Sequence, residues 1–335
     1  MNLLDYLKVQ FDSNINKLTD ADILVFSKLV YLPFEYIMDS DETITISEAY
    51  SRVGVLDHNL YISKKDISFF KLVSQNDRYK NLKIGRVISK MSDKLYEQFM
   101  AITIFLDDND IFVSFRGTSK EMYGFREDFM MLYKTVLAQN DAINYLNQCC
   151  SFKSIYVGGH SKGGYLGMYA SSKALPSVKK KIKKIYNLDG PGFMELDKDY
   201  YSIKDKIITY LPSTSIIGRL YKNDCRVEVI SSSKRLIKQH DLYSWILKDG
   251  LFILSDLDED SDNIKYMIDK IIFKDDSLKI NELIEYIFDS ISSSGVSYVS
   301  EFHISDLLTI ISSYNFKNDS SKIRILKVIK YLFSA

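Results

Sequence analysis

The sequence is poor in cysteine, proline, histidine and glycine, and neither sign of charge is in excess. Among 335 residues there are three cysteines, four prolines, four histidines and 14 glycines. Cys149 and Cys150 are adjacent and Cys225 is distant, which excludes a disulfide framework and a paired C-x-x-C metal site. That usage suits a reducing compartment. Lysine plus arginine (44) equals aspartate plus glutamate (44). A nucleic-acid binder displays a concentrated basic face, so no nucleic acid is expected as a partner. No apolar run is long enough to span a bilayer, so no transmembrane segment is expected, and contact with a membrane would be a transient surface one. Met1 to Asn14 carry Asp5 and Asp12 and lack a basic start followed by an apolar stretch, so no signal peptide is expected. The cytoplasm is then the default compartment, with non-classical export as the other route. No nucleotide loop or metal-ligand spacing is visible, and no cofactor is expected.

What is present is an ordinary globular composition, 46% hydrophobic and 26% charged, rich in Tyr (24) and Phe (19). The length accommodates a catalytic domain, expected over residues 1–250, and a smaller one over 251–335. Thr19 followed by Asp20 and Asp22 predicts a capped helix with Ile23, Phe26, Leu29 and Val30 on its apolar face. Residues 43–97 show short mixed patterns, read as small helices with at least one strand. Gln98 to Leu106 and Ile111 to Phe115 are β-prone runs flanking Asp107-Asp108-Asn109-Asp110, a hairpin signal. A helix is expected through about 140–150, then strands at 154–157, 184–188, 207–211 and 226–230, with a helix at 163–172. This alternation implies a largely parallel sheet covered on both faces. Beyond residue 250 the spacing becomes helical. Ile264, Ile268, Ile271 and Ile272 form one set, and Leu283, Ile284, Ile287 and Phe288 a second. Ile304, Leu307, Leu308 and Ile311 form a third, and Ile325, Val328, Ile329 and Leu332 a fourth. These predict a helical C-terminal subdomain.

The chemistry concentrates at Gly159-His160-Ser161-Lys162-Gly163, a G-x-S-x-G string followed by Gly164 and set between a β-prone run and an amphipathic helix. A nucleophile elbow requires that context, because the turn is sharp and small neighbours let strand and helix pack closely. The same string also fits a glycine-rich turn with an incidental serine. A nucleophilic serine needs a base, and only His58, His160, His240 and His303 are available. His160 lies inside the elbow and is expected to pack structurally, pointing away from the serine. His303 falls in the helical tail. His240 lies beyond the last predicted strand, where the order nucleophile, acid, histidine puts the base. For the acid, Asp189 follows the strand after the nucleophile helix and leads into Gly190-Pro191-Gly192. Asp224 is the second choice, and an aspartate beside glycines also serves as a plain turn-former. An oxyanion site needs two backbone N–H groups. Lys162 and Thr118, the latter in Phe115-Arg116-Gly117-Thr118, are the candidates. The Arg116 side chain is expected to pair with Glu127 or Asp128. Together these features predict an α/β-hydrolase fold with a mostly parallel central sheet.

The FRGT turn after a strand, with the GHSKGG elbow, resembles the class 3 lipase branch of the α/β hydrolases. Asp20-Ala21-Asp22-Ile23-Leu24, Leu29-Val30-Tyr31, Phe125-Arg126-Glu127-Asp128-Phe129, Asp189-Gly190-Pro191-Gly192, Pro212 to Gly218 and Gln239-His240-Asp241 extend the resemblance. They are similar to the bacterial Mbeg-like family within that branch, over about residues 19–250. The resemblance implies an esterase or lipase activity, with Ser161 as nucleophile, His240 as base and Thr118 at the oxyanion site. It departs at Ser215, near which class 3 lipases place the acid, so the acid stays open between Asp189 and Asp224. Two functions follow. One is hydrolysis of a small acyl-ester or lipid substrate through an acyl-enzyme, with Tyr123-Gly124-Phe125 or segment 58–80 as a lid. The other is a hydrolase-like scaffold, without catalysis, that binds a lipid or protein partner.

Overall fold

Period-two alternation in the β-prone runs sends neighbouring side chains to opposite faces of a sheet. In the computed structural model, which describes residues 1–9, 15, 17–53, 63–131, 133–274, 280–316, 322–323 and 325–326, that alternation divides the interior in two. Ile111, Val113, Ile155, Val157, Ile185 and Ile207 face one core. Phe112, Tyr156, Tyr186, Leu188, Ile208 and Tyr210 face the other.

The strands are β1 (Thr43–Thr45), β2 (Lys83–Ser92), β3 (Glu97–Phe105), β4 (Asp110–Phe115), β5 (Ser154–His160), β6 (Ile182–Leu188), β7 (Ile207–Pro212) and β8 (Arg226–Ile230). They form one sheet in chain order. Pairings from β1 to β4 are antiparallel, and those from β4 to β8 are parallel. The helices are α1 (Leu3–Leu7), α2 (Asp20–Leu29), α3 (Ile46–Ser51), α4 (Lys64–Gln75), α5 (Met122–Met130), α6 (Leu137–Asn147), α7 (Lys162–Lys173), α8 (Pro176–Lys179), α9 (Lys198–Tyr201), α10 (Glu259–Lys274), α11 (Ile280–Ser293) and α12 (Ile304–Ser313). Helices α1, α2 and α4 contribute to one core and α6, α7 and α9 to the other. Helices on both faces of a sheet whose parallel half runs in chain order make this an α/β-hydrolase fold.

Thr19 caps α2 as expected, in a capping box with Asp22. Asp22 also receives Arg78, with Nε 2.7 Å from Oδ1, and the Tyr79 hydroxyl, a buried network invisible in a local reading. The expected hairpin is β3–β4, and segment 43–97 contains β1, α3, α4 and β2. After a short ribbon, β9 (Leu247–Lys248) against β10 (Leu251–Phe252), the chain runs along β8, with Ser231 N–H donating to Ile253 O and Ser255 N–H to Val229 O. Three of the four C-terminal helical sets fall on α10, α11 and α12. Of the fourth, Val328, Ile329 and Leu332 lie outside the described residues, as does His58 with the start of segment 58–80. Among the described residues no helix is long and apolar enough to cross a membrane.

Candidate active site

Thr118, Ser161, Lys162 and Asp189 lie just beyond the carboxyl ends of β4, β5 and β6, where crevices form in open α/β sheets. Ser161 follows β5 directly and caps α7 with φ 58° and ψ −130°, a strained backbone for a residue with a side chain. Its amide donates to Leu188 O at 3.0 Å, and its carbonyl accepts from Gly164 N–H at 3.0 Å. The turn closes because Gly163 has no side chain; a Cβ there would lie 2.1 Å from Phe115 O. The FRGT turn presses on the same point, since a Cβ at Gly117 would meet Ser161 Cβ at 3.2 Å.

Asp189 follows β6 with φ 49° and is 1% exposed. Its Oδ2 lies 2.7 Å from His240 Nδ1. Its Oδ1 accepts from Ser215 Oγ at 2.5 Å and from Gly218 N–H at 3.1 Å. The carboxylate is thus oriented at both oxygens, and the imidazole that donates through Nδ1 presents Nε2 as a proton acceptor. Asp224 is elsewhere: it is half-exposed and pairs with Lys204 at 2.8 Å. Ser215, where the resemblance led to an expected carboxylate, instead supplies a hydroxyl to Asp189. The turn carrying His240 is anchored from below. Buried Trp245 donates to Gln239 O at 2.9 Å, and Gln239 donates to Thr214.

Two expectations need adjustment. Arg116 does not pair with Glu127 or Asp128; its guanidinium lies 3.4 Å from Glu35 and against the sulfurs of Met100 and Met91. The strand explains this, because Phe115 faces the core that holds α6 and α7, so the next side chain turns the other way. His160 is buried, as expected of a packing residue, yet what it packs on is the His240 ring, 4.3 Å away between centroids. Its Nδ1 shares a 2.9 Å hydrogen bond with Tyr31 Oη. Burial, with the neighbouring His240 and then Lys28, holds the His160 pKa well below the usual histidine value, so this ring is neutral. Only the position of His160 beside the serine could have hinted at that role. His303 is the exposed N-cap residue of α12.

On the other side of Ser161 lies a polar network. Thr118 Oγ1 donates to Asp128 Oδ2, which leaves the Thr118 amide as the group for an oxyanion. Burial raises the Asp128 pKa, opposed by Lys162 and by the Thr118 hydroxyl. Lys162 Nζ lies 2.8 Å from Glu127 Oε2, 3.4 Å from Asp128 Oδ1 and 3.0 Å from Gln98 O. Tyr123 to Phe125, one of the two expected lid segments, lie in the first turn of α5. That helix is clamped by α11: Arg126 pairs with Glu285 and with Asp289, and Phe125 packs with Ile284 and Phe288. Among the described residues no cluster of three metal-ligating side chains occurs.

The Mbeg1-like family model matches residues 73–289, more than half of the chain and past residue 250 into α11. No curated protein matches. Solved structures similar to this chain include several lipases. A mutant form of MDLA from Penicillium cyclopium is 13% identical over 70% of this chain and 83% of its own, with a TM-score of 0.40. M37 lipase is 15% identical over 61% and 70%, with a TM-score of 0.38. Lipase II from Rhizopus niveus is 14% identical over 64% and 81%, with a TM-score of 0.35. At that level of likeness the fold assignment rests on the sheet and its connections.

Proposed function

The chain belongs to the Mbeg1-like family, and on that footing we propose that it is a serine hydrolase that cleaves carboxylic esters, lipase- or esterase-like, through an acyl-enzyme on Ser161. The observation that carries the reading is the coupling of His240 Nδ1 to a buried Asp189 whose second oxygen is already satisfied. That arrangement fixes the tautomer in which Nε2 takes the serine proton and later returns it to the leaving alcohol. Attack by Ser161 Oγ on the carbonyl would place negative charge near the amides of Thr118 and Lys162. The scaffold reading had two motives, the absence of a carboxylate at position 215 and the long helical C-terminus. Ser215 donates to Asp189, which answers the first of these.

The test is turnover of p-nitrophenyl esters of graded acyl length by the parent, Ser161→Ala and Asp189→Asn. The parent should hydrolyse at least one ester with a burst of nitrophenol. Ser161→Ala should show neither burst nor turnover above background. Asp189→Asn should fold normally and lose kcat by about 10⁴-fold through the wrong imidazole tautomer. Turnover that survives Ser161→Ala would refute the proposal.

A further inference from the structure

Lys162 is the residue directly after the candidate nucleophile, and its side chain is 1% exposed. A lysine is almost never buried so completely unless paired. Here the ammonium donates to Glu127 Oε2 at 2.8 Å and to Gln98 O at 3.0 Å, and Asp128 Oδ1, which has no hydrogen-bond partner, lies 3.4 Å away as an ion pair. Glu127 is itself 0% exposed and accepts from Gln98 N–H at 3.1 Å and Ala138 N–H at 3.4 Å. Buried ion pairs are poor sources of stability, because desolvation offsets the attraction and apolar residues of similar size do as well or better. Their best-attested use is to fix one geometry. This pair joins the elbow to α5 and to the start of β3. Asp128 then carries the link to the FRGT turn through its other oxygen, which accepts from the Thr118 hydroxyl. Ser119, the next residue, donates its amide to the Gln98 side chain at 2.7 Å.

From this juxtaposition we infer that the Lys162 side chain is a positioning residue for ester hydrolysis. Its ammonium, through Asp128 and Glu127, locks the FRGT turn against the elbow so that the amides of Thr118 and Lys162 converge on one oxyanion. The inference rests on the hydrolase reading above and adds to it a device supplied by a charged side chain within the elbow itself. Misaim of either amide by a fraction of an ångström weakens the transition state more than the bound ester, so the effect falls on kcat.

The experiment separates aim from stability. Lys162→Met leaves Glu127 buried and uncompensated, and should lower both Tm and kcat. Lys162→Met with Glu127→Gln removes both charges; the amide keeps one of the two backbone N–H bonds that Glu127 accepts and gives up the other. This double variant should have a higher Tm than Lys162→Met alone, while kcat stays about tenfold to a hundredfold below the parent and KM changes little. Asp128→Ala, at a side chain already a quarter exposed, keeps the Lys162–Glu127 pair and cuts only the link to Thr118. It should fold and lose kcat by about tenfold. Parental kcat in the double variant, or in Asp128→Ala should the double variant fail to fold, overturns the inference and leaves the hydrolase reading intact. A parent that turns over no ester removes both.

Discussion

At the residue scale, the sequence pointed to Ser161, His240 and Asp189 because chain order and flanking glycines are local signals. It left Asp189 open against Asp224, since nothing local says which aspartate lies under the histidine; the 2.7 Å contact does. Long-range pairs were out of reach for the same reason. Arg78 with Asp22, Lys162 with Glu127 and Arg116 with Glu35 each join segments far apart in the chain. His160 is the most instructive case, because its burial was expected and its partner was not. In the folded protein the ring stays neutral well below the usual histidine value, while in the unfolded chain it takes up a proton near pH 6.5. The unfolded state therefore binds more protons as pH falls below about 6.5, and stability declines by at most about 1.4 kcal/mol per pH unit from this group. His160→Gln removes that proton. Urea unfolding of parent and variant at about pH 7.5 and 5.5 should show a smaller loss of stability on acidification in the variant. Equal losses in both would contradict the assignment of a neutral buried ring.

At the scale of elements, periodicity was a good guide where one face of an element is buried and a poor one elsewhere. The hairpin β3–β4, the strands β5 to β8 and helices α7 and α11 lie where alternation or helical spacing put them. Strand β2 was obscure because its register shifts between Gly85 and Ile88, with Arg86 at φ 53°, so its alternation is interrupted. For α11 the apolar stripe of Leu283, Ile284, Ile287 and Phe288 was legible, but its partner was not. The structure packs Ile284, Phe288 and Ile291 against Met122 and Phe125 of α5, beside the polar network at Thr118. Phe288 is 6% exposed, and Phe288→Ala should cost about 3 kcal/mol locally through lost burial and a cavity. Amide hydrogen exchange should then quicken in α5 and α11 and stay unchanged in β4 to β7. Faster exchange spread evenly over the sheet would show that α11 is not a separate clamp on α5.

At the scale of the whole molecule, two apolar cores on the two faces of one sheet explain the architecture, and the carboxyl edge of that sheet gathers the elbow, Asp189 and the FRGT turn. The hydrolase fold was readable because strands and helices alternate in the middle of the chain. The chemistry proposed for that fold requires Ser161 to be an activated nucleophile. The direct test is intact-mass measurement after exposure to a fluorophosphonate, on the parent, Ser161→Ala and His240→Ala, each with and without detergent. An activated Ser161 should give one adduct on the parent, mapped to Ser161, none on Ser161→Ala, and strongly slowed labelling of His240→Ala. A folded parent that takes up no adduct under either condition, or one labelled at another residue, would contradict it.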